Sequence, residues 1–303
     1  MKNSFFTWVC LLVLPFQLLA QSETEKHLEY LSSDQLTGRE TGTEGINLAA
    51  TYIEKVFEKN KVQPFYETYR DSFEVKKKFG YNIVGFVEGT DNNLKDEIIL
   101  IGAHYDHIGI QKPVAGDSIA NGANDNASGT VTVMELAAHF AKNPTKRSLV
   151  FALFAGEEMG LLGSKHLAKR MKKEDQNLYT VFNIEMVGVP MKDRSYAAYL
   201  TGFKMSNFAE KFNTYAGNET LGFLPQAKDY QLFSRSDNFP FYQEFKIPAQ
   251  TVCTFDFTNY EYYHHVNDET TELDIPHMQN LIETFIPGIE GMANASKKEI
   301  KLK

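Results

Sequence analysis

The stretch Ile98-Ile99-Leu100-Ile101-Gly102-Ala103 is a short, unbroken apolar run rich in β-branched residues, and it delivers His104, Tyr105, Asp106 and His107 at its carboxyl end. A strand that is apolar on both faces must be covered on both faces, the habit of parallel sheets flanked by helices. Working outward, similar runs occupy residues 81–87, 149–154 and 181–184, with later ones at 196–200 and 249–254. Helical spacing fills the gaps at residues 128–142, 161–172, 208–215 and 277–292. Two further helices precede them, at about residues 23–31 and 44–59, the second with Leu48, Ala49, Tyr52, Ile53, Val56 and Phe57 on one side. The alternation predicts an α/β three-layer sandwich: a mainly parallel central sheet with helices on both faces.

Composition is that of a soluble globular chain able to bury a sizeable core: 303 residues, 43% hydrophobic, 23% charged, with a formal net charge of -8. We expect one domain over residues 21–296 and a solvated basic tail over 297–303 carrying Lys297, Lys298, Lys301 and Lys303. An acidic balance without a Lys/Arg stripe argues against a nucleic-acid partner. Lys2 precedes an apolar stretch from Phe5 to Ala20 that is short for a membrane span and gives way to Gln21-Ser22-Glu23-Thr24-Glu25. Residues 1–20 are therefore expected to be a cleaved secretory peptide, the mature chain being secreted or periplasmic without stable membrane insertion; an uncleaved anchor is the alternative. Cys10 lies inside the apolar core, so lipid attachment there is not expected, and Cys253 alone cannot form an internal disulfide in the mature chain.

Chemistry concentrates in five segments: Ala103-His104-Tyr105-Asp106-His107, Gly122-Ala123-Asn124-Asp125-Asn126-Ala127-Ser128-Gly129, Ala155-Gly156-Glu157-Glu158-Met159-Gly160, Asn183-Ile184-Glu185-Met186 and Tyr262-Tyr263-His264-His265. His104, Glu157, Glu158 and Glu185 fall at or just beyond the carboxyl ends of predicted strands, where open α/β sheets build their sites. Loops bring Asp125 and His264 to the same edge. Gly156 and Gly160 permit a tight turn around the Glu pair, and Ser128 is the candidate N-cap of the following helix. Two imidazoles and three carboxylates, His104, Asp125, Glu158, Glu185 and His264, suit a pair of divalent ions, with Glu157 free to accept a proton from water. Oxygen and nitrogen donors without thiolate fit zinc, and also manganese or cobalt. Asp106 lies two residues beyond His104 and is the candidate to orient its ring.

This ordered set resembles the di-zinc aminopeptidase family, co-catalytic metallopeptidases whose relatives include glutaminyl cyclases and the glutamate carboxypeptidase and transferrin-receptor group. The resemblance extends to Leu36-Thr37-Gly38-Arg39-Glu40-Thr41-Gly42 and Arg235-Ser236-Asp237-Asn238-Phe239-Pro240-Phe241, and shows no protease-associated insert. It implies that Asp125 bridges two zinc ions, with His104 and Glu185 on one and Glu158 and His264 on the other. It further implies Glu157 as general base, Tyr263 as a donor to the tetrahedral oxyanion, Arg235 as a substrate-positioning group, and a cis peptide after Asp125. Glu185 departs from the aspartate common in the family.

The activity expected is cleavage of the first peptide bond of substrates with a free amino terminus. A glutaminyl-peptide cyclotransferase using one ion on Asp125, Glu158 and His264 is the runner-up, and a catalytically dead receptor or scaffold relative fits poorly because every ligand position holds a competent group. Taken singly, each residue has a plainer reading: Asp106 as a turn carboxylate, Glu157 as a solvated neighbour, Tyr263 as rim packing, Arg235 as a salt-bridge donor to Asp237 or Asp229. His265 is the rival to His264. His107, His139, His166 and His277 are assigned no role in the site, and the sequon Asn126-Ala127-Ser128 is discounted because a glycan would block the metal loop.

Overall fold

The structure, a computed structural model, describes residues 21–75 and 77–303. The expected secretory peptide lies outside these residues. Strands run β1 Gln63–Pro64, β2 Arg70–Val75, β3 Lys78–Val87, β4 Ile98–His104, β5 Ile110–Val114, β6 Asp117–Ile119, β7 Ser148–Phe154, β8 Leu178–Glu185, β9 Ala198–Leu200, β10 Leu221–Gly222 and β11 Ala249–Cys253. The principal helices are α1 Glu23–Leu31, α2 Glu44–Lys59, α3 Gly129–Lys142, α4 Leu162–Lys173, α5 Phe208–Ala216, α6 Pro225–Asp229, α7 Asn238–Phe245 and α8 Ile275–Asn294.

Nine strands form one sheet in the order β1-β3-β7-β4-β8-β11-β9-β10, with β2 paired to β3. The centre, β7-β4-β8-β11, is parallel throughout. Antiparallel pairs flank it where β3 meets β7 and β11 meets β9. Every residue of β4 and of β7 is buried, as an apolar run with no polar face requires. Alternate side chains enter opposite layers: Ile99, Ile101 and Ala103 pack with residues of α1, α2, α3, α5 and α8, whereas Ile98 and Leu100 pack with Leu167 and Met171 of α4 and Phe241 of α7. This is the expected three-layer sandwich.

The chain leaves β4 through α3 on one face to reach β7, then crosses through α4 on the other face to β8, on the far side of β4. Connections thus diverge at β4, and a crevice opens beyond the carboxyl ends of β4, β7 and β8, the topological switch point of an open sheet. Ser128 is not an N-cap: it already has helical backbone angles, its Oγ donates back to Asn124 O at 2.7 Å, and a π-turn over Ala123–Ser128 runs directly into α3.

Candidate metal centre

His104 ends β4, and its ring is 1% exposed. Its Nε2 lies 3.3 Å from Asp125 Oδ1. Asp125 Oδ2 faces the other way, 3.2 Å from His264 Nε2, which is also 3.1 Å from Glu158 Oε2. Asp125 thus stands between the two histidines expected on separate ions. Its loop is held from outside: Asn124 N and Asp125 N donate to the two oxygens of Asp268 at 2.7 and 3.0 Å. Asn126, after the cis Asp125-Asn126 bond, accepts from Met186 N at 2.9 Å and donates to Ile184 O at 3.1 Å, tying the loop to the end of β8 where Glu185 sits. At Gly122, with φ of 60°, an added Cβ would stand 2.3 Å from Asp125 O, so the entry to this loop admits only glycine.

Gly156 (φ 71°) turns the chain out of β7 and presents Glu157 and Glu158 to the crevice. Thr41 holds this turn, accepting from Gly156 N at 2.8 Å while donating to Asp106 Oδ2 at 3.2 Å. Asp106 does not orient His104 through its carboxylate as expected. Its Oδ1 accepts from Glu157 N at 3.2 Å and stands 3.7 Å from His104 Nδ1, which is closer, at 3.2 Å, to the main-chain oxygen of Asp106. The carboxylate therefore links the β4 and β7 loops, and the backbone carbonyl meets the ring.

Glu185 reaches the crevice from β8, but its Oε2 accepts from Ser236 Oγ and it forms no ion pair with His104 among the described residues. His107, assigned no role from sequence, is at the centre: its Nδ1 is 3.0 Å from Glu158 Oε1 and 3.8 Å from Asp125 Oδ2. His107, Asp125 and Glu158 each offer a ligand atom within 4.8 Å of the others. Asp237 was also missed; it is fully buried, and among the described residues neither carboxylate oxygen has a hydrogen-bond partner. Arg235 lines the crevice and makes no ion pair with Asp237 or Asp229 among the described residues. His265 Nδ1 accepts from Asn267 N at 3.0 Å, and its ring forms no ion pair with the crevice carboxylates among the described residues. Tyr263 is 38% exposed at the rim and stacks on His264 with centroids 4.0 Å apart.

Four carboxylates, Asp125, Glu157, Glu158 and Glu185, line this crevice with Asp237 buried nearby, and none of the five pairs with lysine or arginine among the described residues. Burial, reinforced by Glu185, Asp237 and Glu158 against the opposing His104, pushes Glu157 well above the usual carboxylate range. Burial likewise raises Asp106 to about 6, Asp237 to about 7, and Glu185. Asp125 is held low in spite of burial by the His104, His264 and His107 rings that surround it. His264 and His104 rise in return: against burial, His264 is lifted to about 10 by Asp125 and Glu158, and His104 well above its ordinary value by Glu157 and Asp125.

The residues fit divalent metal. Ligand atoms on a tetrahedral ion with bonds of about 2.0–2.1 Å stand roughly 3.3 Å apart, and the His104–Asp125, His264–Asp125 and His264–Glu158 separations are 3.3, 3.2 and 3.1 Å. Among the described residues His104 Nε2 is buried with no hydrogen-bond partner, as a nitrogen reserved for an ion would be.

The chain is 41% identical over 106 residues to a probable zinc metalloprotease of Pyrenophora tritici-repentis, covering 35% of this chain and 24% of that protein. It is 29% identical over 163 residues to the aminopeptidase YwaD of Bacillus subtilis, covering 54% of this chain and 33% of that one. The chain thus spans about a quarter to a third of the length of these curated relatives. Among solved structures, BSAP, a zinc aminopeptidase from Bacillus subtilis, matches with a TM-score of 0.71 at 17% identity, covering 90% of this chain and 95% of that one. A Porphyromonas gingivalis glutaminyl cyclase matches with 0.67 at 14%, covering 88% and 97%. These likenesses establish the shared fold without choosing between the two reactions. The model of peptidase family M28 matches residues 82–288, from β3 to within α8 and across every segment of the crevice, and the chain belongs to that family.

Proposed function

We propose that this protein is a zinc-dependent aminopeptidase, secreted or periplasmic, that hydrolyses the first peptide bond of its substrates with two ions and Glu157 as general base. The observation that carries this reading is Asp125, placed between His104 and His264 at 3.3 and 3.2 Å with Glu157 and Glu158 alongside. His104, Asp125 and Glu185 would hold one ion and Asp125, Glu158 and His264 the other. Bound zinc supplies Lewis acidity, which makes water a better nucleophile and polarises the scissile carbonyl.

The chain's own groups supply the rest. Glu157 is the proton carrier: its carboxylate takes a proton from the attacking water and returns it to the nitrogen as the C–N bond breaks. Its neighbour Glu158 cannot share this duty while its two oxygens face His107 and His264. Tyr263 keeps its phenolic proton, since burial and the surrounding carboxylates push it upward, and so can donate to the oxyanion. Glu185 and Glu157 form an acidic end to the crevice suited to an amino terminus, which locates the first peptide bond beside Glu157. Met186, Tyr199, Phe255 and Phe257 wall the crevice and favour an apolar first side chain.

The cyclotransferase reading has one observation in its favour: Glu185 is engaged by Ser236 instead of His104, which suits a single ion on the Asp125, Glu158 and His264 side. Mass spectrometry of peptides incubated with the zinc-loaded protein separates the two. Loss of one residue from free but not N-acetylated peptides is expected; loss of ammonia alone from an N-terminal glutamine, or trimming from the C-terminus, refutes the proposal. Secretion is tested by the N-terminus of the exported protein, expected to begin near Gln21.

A further inference from the structure

We propose that His107 is a positioning residue of the metal centre, donating a hydrogen bond from Nδ1 to Glu158 Oε1 so that Glu158 Oε2 is aimed at the ion it shares with His264. This rests on the reading of the crevice as a metal site and adds a residue to it.

The ring is 1% exposed and lies against the backbone at Gly122, where an added Cβ would meet its Cγ and Cδ2 at 2.6 Å. A side chain packed into that backbone has little freedom, and what it touches is set by the fold. Its Nδ1 stands 3.0 Å from Glu158 Oε1, while the other Glu158 oxygen is 3.1 Å from His264 Nε2. The carboxylate is gripped at one oxygen and free to ligate through the other, the usual arrangement behind a ligating side chain.

The same Nδ1 is also 3.8 Å from Asp125 Oδ2, so it could be read as a further ligand. The other ring nitrogen decides between the readings. His107 Nε2 is buried with no hydrogen-bond partner among the described residues. If Nδ1 bound an ion, the proton would sit on Nε2 and leave a buried N–H unpaired, the costlier and rarer defect. With the proton on Nδ1, the donor is satisfied by Glu158 and only an acceptor is left unpaired. The tautomer that donates to Glu158 is therefore favoured.

The test is a competitive chelator titration of zinc on the mature protein, with Glu158→Gln marking which binding phase belongs to the Glu158 ion. His107→Leu should weaken that phase about 10–100-fold and spare the other. His107→Asn places an amide nitrogen where Nδ1 was, and should restore affinity to within a few-fold. His107→Gln reaches instead toward the Nε2 position and should behave as the leucine variant, which keeps the test open should that variant not fold. Unchanged affinity in both the Leu and Gln variants would overturn the proposal. So would an equal loss in both phases with a lowered metal-free melting temperature, which is general packing, or an Asn variant as weak as the Leu variant, which is direct ligation. A wild-type protein that binds no zinc would overturn the metal-centre reading itself, and this inference with it.

Discussion

Replacing Arg39 by methionine should unfold the crevice from its far side. Arg39 is 1% exposed and among the described residues its guanidinium donates only to main-chain oxygens: Nε to Tyr105 at 2.8 Å, Nη1 to Asn121 at 2.6 Å and to Leu31, and Nη2 to Gly122 at 2.9 Å. One planar group thus fastens α1, the residue after His104 and the glycine that opens the Asp125 loop. Burial lowers its pKa to about 10, so it stays charged at neutral pH and each bond is charge-assisted. Methionine keeps much of the apolar stem and removes the fork, leaving four carbonyls facing a void. About 1 kcal/mol for each unpaired acceptor agrees with the roughly 3–5 kcal/mol typical when one side of a buried charged set is deleted. That is a large part of the about 5–15 kcal/mol that holds such a domain together. Urea unfolding of the metal-free protein measures it, and Arg39→Lys should recover little because a point charge cannot replace a planar fork. A destabilisation below about 1 kcal/mol for Arg39→Met would refute the reasoning.

Glu157→Gln should retain zinc and lower kcat by about 10²–10⁴, whereas Glu158→Gln should lose affinity at one ion; near-wild-type turnover by the fully zinc-loaded Glu157→Gln variant would remove Glu157 as the base. Without metal, stability should fall as pH rises. Asp106 and Asp237, raised to about 6 and about 7, bind protons in the folded state that the unfolded chain has released above about pH 4. His264, raised to about 10, adds stability that is full below about 6.5 and is lost on approach to its folded value. The metal-free melting temperature should therefore drop between pH 5 and 8, while zinc, which requires deprotonated ligands, should stabilise more at pH 8 than at pH 5. A metal-free protein more stable at pH 8 would contradict these shifts.

The sheet and the loops of the candidate site were legible because burial wrote them into the sequence. β4 and β7 are apolar on both faces, and His104, Glu157 and Glu185 stand where such runs meet polar residues. β2 was not legible: its buried positions include Asp71 beside Phe73 and Val75, and the charge masks the alternation. The β5–β6 hairpin was hidden for the opposite reason, since every residue of β5 is exposed. His107 and Asp237 sat inside quoted motifs without a role because a lone histidine or aspartate declares itself only through what folds over it. Arg39 reaches residues 66 and 83 positions away, a span no local pattern reports.

The measurement that bears most directly on the account is anomalous scattering at the zinc edge from crystals of the zinc-loaded protein. Two peaks about 3.5–4 Å apart are predicted on either side of Asp125, one against His104 and Glu185 and the other against Glu158 and His264. A single peak beside Glu158 and His264, with Glu185 still engaged by Ser236, would contradict the two-ion centre.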